Sequence, residues 1–451
     1  MNRLQLKRVL TLRTVVATSA GLTLASSTFV AAVQVAGFLA GDAAWLAIFT
    51  SGLLCFGAAA CFSELNARYP SAAGIRLYFA RAFGERVALV VSLLYMAVVL
   101  GVVGAESYVL AQSLTFAVPF VPPLAWIMIV YVLVTGLNIR GIKIAGNFQD
   151  LITYGMMVAL VALGLAALAQ RGFALQAPLA TGGPASFINA VAVGIFLFVG
   201  FEWAAPLAEE VVHTRLVSRG MLLAVGLLSL VYAVFTVAMT VVVPREELLS
   251  SPVPHMLFAR HALGPAGVWA MVGLSLAASA TTFNAGLISV SRFIYASARE
   301  CVLPPVFSRV SMRFFTPWVA VLTVFVIGVS ASVGVLLTGC YLTIVNLAAA
   351  MESLVYVLAA LAVVALRRKE PAACGYTVRG GLFVPALTAA VFLGLLGAVV
   401  LVNPAVGLYL LAGLALTWLY VRHVVPALKE KYRRERRSRR RQSSPRPGAL
   451  P

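Results

Sequence analysis

The sequence predicts an all-α integral membrane protein of twelve transmembrane helices. Three observations carry this. Of 451 residues, 61% are hydrophobic and 11% are charged, where a soluble domain carries roughly 25% charge. The chain divides into twelve apolar runs, each close to the roughly twenty residues that a helix needs to cross a bilayer. With the N-terminus inside, the segments on that side hold 31 of the Lys and Arg residues, and the other side holds 3, Arg171, Arg245 and Arg260. Basic residues collect on the cytoplasmic side. The bias therefore places both termini in the cytoplasm of a multi-pass inner or plasma membrane protein and requires an even number of spans. It also accounts for the net charge of +19 without a nucleic-acid partner.

The elements follow in order. Residues 1–14 form a basic cytoplasmic lead. It resembles a signal peptide, but the apolar run after it is too long and further spans follow, so an uncleaved first span is expected. The spans fall at 15–39, 43–67, 87–113, 122–138, 149–170, 186–208, 219–243, 264–298, 316–338, 341–366, 382–402 and 404–425. Residues 427–451, rich in Arg, Ser and Pro, read as a disordered tail close to anionic lipid headgroups. The five cysteines are scattered and form no CxxC, so no disulfide framework is expected. The four histidines lie far apart, with no metal-ligand spacing. No metal, no cofactor and no catalytic cluster is expected, which weighs against an enzyme. The tail is too short and too biased in composition for the output domain of a sensor.

Polarity enters the membrane at few places. In span one, "GLTLASSTFVAA" (21–32) sets four hydroxyls beside a glycine. Such hydroxyls bond carbonyls of their own helix or join helices. The other reading is a broken helix whose backbone holds a ligand. In span six, "FLFVGFEWAAP" (196–206) has Gly200 between aromatics, then Glu202 and Pro206. Spans one and six lie five spans apart, and an odd number of spans inverts the second copy of a repeat. Interrupted segments at matching positions of inverted halves point to a transporter binding site. The halves would be 15–170 and 186–366, with 382–425 as two extra helices. Free N–H groups attract a carboxylate and free carbonyls an ammonium, so a pair of breaks suits a zwitterion. Glu106 in span three and Glu202 are charges in costly places and candidates for transport roles. Glu352 lies in span ten, and Glu64 near the cytoplasmic end of span two. In span eight, "SLAASATTFNAG" offers the adjacent hydroxyls Thr281 and Thr282, suited to a hard cation or to joining helices.

Several segments resemble the amino acid–polyamine–organocation (APC) transporter superfamily, as a bacterial-type permease. They are "LKRVLTLRTVVATSAGLTLASSTF", "CFSELNARYPSAAGIRLYFARAFGE", "NIRGIKIAGNFQ", "FVGFEWAAPLAEEV" and "SRFIYASARECVLPPVFSRV" followed by "TPWVA". The resemblance implies a five-plus-five inverted repeat with discontinuous helices one and six, then two extra helices. It implies a central site where the backbone at Ala25, Ser26, Ser27 and Thr28 receives a carboxylate. Carbonyls around Phe196, Leu197 and Val199 would receive the amino group, and Phe196 falls where some relatives place an aromatic gate. It also sets Thr281 and Thr282 at a depth where related folds supply sodium ligands. Three departures stand out: Ala25-Ser26-Ser27 replaces the usual glycine-rich break, the Asn-Pro after span six is missing, and span five has no lysine. The expected activity is secondary active transport of a neutral or cationic L-amino acid, as exchanger or as H+ or Na+ symporter. A polyamine or amine exchanger of the same fold is the alternative.

Overall fold

The computed structural model describes residues 8–25, 40–170, 183–251, 253–371 and 376–432. Among these there is no strand beyond one isolated parallel bridge, Leu10 to Val211. Among the described residues, eleven helices are long and apolar enough to cross a membrane, and they coincide with spans two to twelve of the sequence. Span one is described only to Ala25. Ser26, Ser27 and Thr28, and with them the greater part of the predicted carboxylate contact, lie outside the described residues.

Helix boundaries depart from the sequence reading in two places. Span five was expected to begin at 149 but starts at Ile142. The preceding segment "IKIAGNF" is part of the helix, with Ile142, Ala145 and Gly146 buried, and one turn further on Gln149 and Asp150 are buried and bonded to span one. A short helix, Ile75–Phe83, lies between spans two and three where a loop was expected. Its faces differ: Ile75, Tyr78 and Phe79 are buried while Arg81 is not. Span eight is kinked at Gly264, before Pro265, which fits the expected start at 264.

The layout puts span six at the centre. Of its most apolar stretch, 94% is buried, against 22% for spans eleven and twelve, which form the periphery. Span one, the helix Leu12–Thr23, packs against spans five (Ile142–Gln170), seven (Arg215–Val242) and eight (Pro254–Arg299), and against the second half of span six. Span three (Glu85–Ala117) lies against span eight, span nine (Trp318–Thr338) and span ten (Tyr341–Lys369). One end of the bundle carries most helix-terminal basic residues, among them Arg68, Arg140, Arg299 and Arg367. It is called the basic face below.

Candidate functional site

Span one stops being helical at Thr23, part-way along its apolar run. The Thr23 hydroxyl donates to the Ala20 carbonyl at 2.7 Å, a local bond that competes with the helical ladder. Leu24 leaves the helical region with ψ 70°. Two carbonyls near this end are taken up by neighbouring helices. Tyr232 of span seven donates its hydroxyl to the Thr23 carbonyl at 2.9 Å, and Thr282 of span eight donates to the Gly21 carbonyl at 3.2 Å. Ala25, the one predicted span-one contact that is described, is buried at 3% exposure.

Span six breaks in the same layer. The helix Gly183–Gly194 tightens into a 3-10 turn at Ile195–Phe198, and Val199 turns extended. Gly200 then takes φ +110°, and a second tight helical stretch runs Phe201–Glu209 with Pro206 inside it. A left-handed residue with no Cβ is required here twice over. L side chains disfavour that φ, and a Cβ on Gly200 would sit 2.9 Å from the Leu22 side chain. The two breaks therefore touch, Leu22 of span one against Gly200 of span six. Ser19 completes the contact by donating its hydroxyl to the Phe201 carbonyl at 2.8 Å. Phe196, Leu197 and Val199 are all buried beside this junction.

The predicted acids are not gathered at one point. Glu106 accepts a 2.6 Å bond from Ser279 of span eight. Glu202 faces the other way along span three, towards Tyr95. Tyr95 and Glu106 are eleven residues apart, about three helical turns and roughly 16 Å, on one face of span three. Around Glu202 there is a cluster that sequence reasoning missed. The Tyr95 hydroxyl bonds Glu202 and also lies 2.6 Å from Glu352 Oε2. Tyr356 donates to Glu202 Oε2 at 3.2 Å. Glu202, Glu352, Tyr95 and Tyr356 are all buried, and Trp203 packs on Tyr95 with ring centroids 5.2 Å apart. Among the described residues neither carboxyl group has a Lys, Arg or His ion-pair partner. Glu352 and Tyr356 lie four residues apart on span ten, a spacing that shares a helix face. That signal was in the sequence, but nothing in it said that this face meets Glu202.

The paired hydroxyls of span eight both donate to carbonyls, one within its own helix and one on another. Thr281 bonds the Ala278 carbonyl of its own helix at 2.8 Å, and Thr282 reaches span one. Glu64 is held by Arg68 and Arg367 at the basic face, as an interfacial structural acid.

A family profile described as "Amino acid permease" matches residues 10–421. The human protein "Asc-type amino acid transporter 1" is 26% identical over 336 residues, 69% of this chain and 62% of that protein. A Mycobacterium bovis protein described as an uncharacterized transporter is 29% identical over 304 residues, 65% of this chain and 67% of that one. "Cationic amino acid transporter 3, mitochondrial" of Arabidopsis thaliana is 25% identical over 348 residues, 69% of this chain and 55% of its own length. The matched regions thus span little more than half to two thirds of these relatives. The profile, in contrast, runs from just before span one into span twelve, and by that match the chain belongs to the amino acid permease family, within the APC superfamily.

Proposed function

We propose that the protein is a secondary active transporter that carries an L-amino acid, neutral or cationic, across a cell membrane by alternating access. One observation carries this reading: the two helix interruptions meet, Leu22 against Gly200 and Ser19 on the Phe201 carbonyl, in the most enclosed part of the bundle. An interruption in a membrane helix is where backbone donors can meet a carboxylate and backbone acceptors an ammonium. The names of the human and plant relatives, which mention amino acids, support the same substrate class. No Lys or Arg lies in the middle of a span to meet a second substrate carboxylate, which disfavours dicarboxylic amino acids.

The coupling ion in this reading is the proton. Tyr95 has one hydroxyl proton and two carboxyl neighbours, Glu202 and Glu352. It satisfies one of them, so the other contact needs a proton from a carboxyl group. Tyr356 already donates to Glu202, which makes Glu352 the acid and Glu202 the carboxylate in this arrangement. Two carboxylates sharing one hydroxyl neighbour would repel by several kcal/mol, on the order of 4 kcal/mol at about 4 Å and an effective dielectric of 20, which favours a proton on one of them. Among the described residues, the buried Cys55 of span two also lies within electrostatic reach of the pair.

Proteoliposomes test both parts. A panel of amino acids and amines should give uptake or thermal stabilisation with amino acids; stabilisation by putrescine and by no amino acid overturns the substrate class. An inward proton gradient should drive uptake, and Glu352→Gln should abolish that drive while substrate exchange persists. Uptake driven by a sodium gradient and indifferent to pH would sink the proton reading.

A further inference from the structure

The flank of the molecule away from the broken helices carries a separate binding place. Spans two and eleven (Phe383–Val402) leave a furrow of about 610 Å³ between them. Gly57 lets the helices approach: a Cβ there would meet Thr388 Oγ1 at 2.7 Å. Thr388 and Phe392, both buried, line the inner side. Leu53, Phe56 and Leu387 form the rim at 59%, 43% and 50% exposure, so the furrow opens outward to the bilayer. Val384 to Val391 extends it along about 10 Å of helix axis.

The basic-face end of this furrow is polar and held in place. It is formed by Tyr376, Val378 and Arg379, on the link between spans ten and eleven. The Val378 N–H donates to Glu64 Oε2 at 2.8 Å, and Arg367 donates to the carbonyls of Val378 at 3.1 Å and Gly381 at 2.7 Å. The link is thereby fastened to spans two and ten, with Arg379 beside the opening. Arg379 itself has no ion pair or hydrogen bond among the described residues, unlike Arg68, Arg76, Arg292, Arg299 and Arg367, each of which has a carboxylate.

An apolar furrow of chain width ending at an uncompensated guanidinium matches one kind of molecule. We propose that this furrow binds an anionic phospholipid, with an acyl chain between spans two and eleven and the phosphate on Arg379. The guanidinium fork suits phosphate geometry. A zwitterionic lipid fills the apolar part equally well, but its ammonium group works against Arg379, so the guanidinium selects for net negative headgroups. The site is independent of the transport reading and stands or falls without it.

Native mass spectrometry of the full chain, in neutral detergent with equimolar phosphatidylglycerol and phosphatidylcholine, tests this. The wild type should retain phosphatidylglycerol preferentially. Arg379→Gln should reduce that preference roughly tenfold, the low end for one charge-assisted hydrogen bond. Val384→Trp, placed at a half-exposed position near the opening, should lower retention of both lipids. Arg422→Gln removes an exposed arginine that packs on Trp418 at the end of span twelve and is the charge-matched control; it should leave the preference intact. Equal retention of the two lipids by the wild type overturns the proposal. So does an Arg379→Gln effect no larger than that of Arg422→Gln, which would mean surface charge alone. Retention unchanged by Val384→Trp removes the furrow as the seat.

Discussion

Gly200 shows how much one residue decides. Its φ of +110° and its contact with Leu22 both exclude a side chain. Gly200→Ala should cost about 1–2 kcal/mol for the backbone alone, and more where the Cβ meets Leu22. Thermal unfolding in detergent and the ligand-induced shift in that transition would read the effect. Substrate binding should fall along with stability, and Leu22→Ala in the same background should recover part of the stability, because it relieves the crowding and leaves the backbone strain. A fully stable Gly200→Ala protein that binds normally would contradict the packing described here. Gly200 was legible in the sequence because a glycine between aromatics in mid-span is conspicuous. Tyr95 and Tyr356 were not. Aromatic residues are ordinary in an apolar span, and these two acquire meaning only once spans three, six and ten are seen to face one another. Glu352 was visible as a charge, but its partner was not. The hydroxyls of Ser26, Ser27 and Thr28, which the sequence made prominent, lie outside the described residues.

At the scale of the elements, spans one and six behave as one part. They meet at the breaks and again at the basic face. There the Val9 and Leu10 N–H groups donate to the Glu210 carbonyl at 2.8 and 3.0 Å, and the Val212 N–H returns a bond to the Leu10 carbonyl at 3.0 Å. The end of span six is held to span eight by Glu210, which receives Arg292 Nε at 2.8 Å in a pair with both side chains wholly buried. A buried pair of this kind adds little net stability over an apolar pair, but losing one partner strands a charge at about 3–5 kcal/mol. Glu210→Gln should therefore lower the unfolding transition strongly. The double variant Arg292→Met, Glu210→Met should be more stable than either single one, a coupling that a thermodynamic cycle measures directly. Two neutral single variants would mean that the pair anchors nothing. The sequence made the spans legible because apolar length is a local property. It placed the start of span five seven residues late because Lys143 and Asn147 interrupt the apolar run, while the helix continues through them and buries Ile142, Ala145 and Gly146 against other helices, which no local pattern records.

Across the whole molecule, the basic face is closed by a belt of ion pairs that joins elements from both halves of the chain. Arg76, on the short helix Ile75–Phe83, bonds Glu85 of span three at 2.7 Å and also Glu300 at the end of span eight. Arg299 pairs with Glu209 at 3.0 Å, and the Ala72 N–H donates to the same Glu209. Arg367 joins span ten to Glu64 of span two at 2.5 Å. A conformation open on this face must separate at least the pairs that bridge span six, span eight and the Ile75–Phe83 helix. Under the alternating-access mechanism proposed above, these contacts favour the form closed on this face, and weakening them should shift the population towards the open one. Cys55 is a native reporter, because its thiol is fully buried and lies within electrostatic reach of Glu202 and Glu352. In a background with the other four cysteines changed to serine, Arg76→Gln combined with Arg299→Gln should raise the rate of Cys55 alkylation by a small maleimide several-fold. Each of the three lost pairs contributes on the order of 0.5–1 kcal/mol, because at least one member of each is partly exposed. The same pair of substitutions should leave the overall fold intact by circular dichroism, which separates opening from unfolding. An unchanged alkylation rate would show that the belt does not hold this face closed, and that closure rests on the apolar contacts of spans one and six alone.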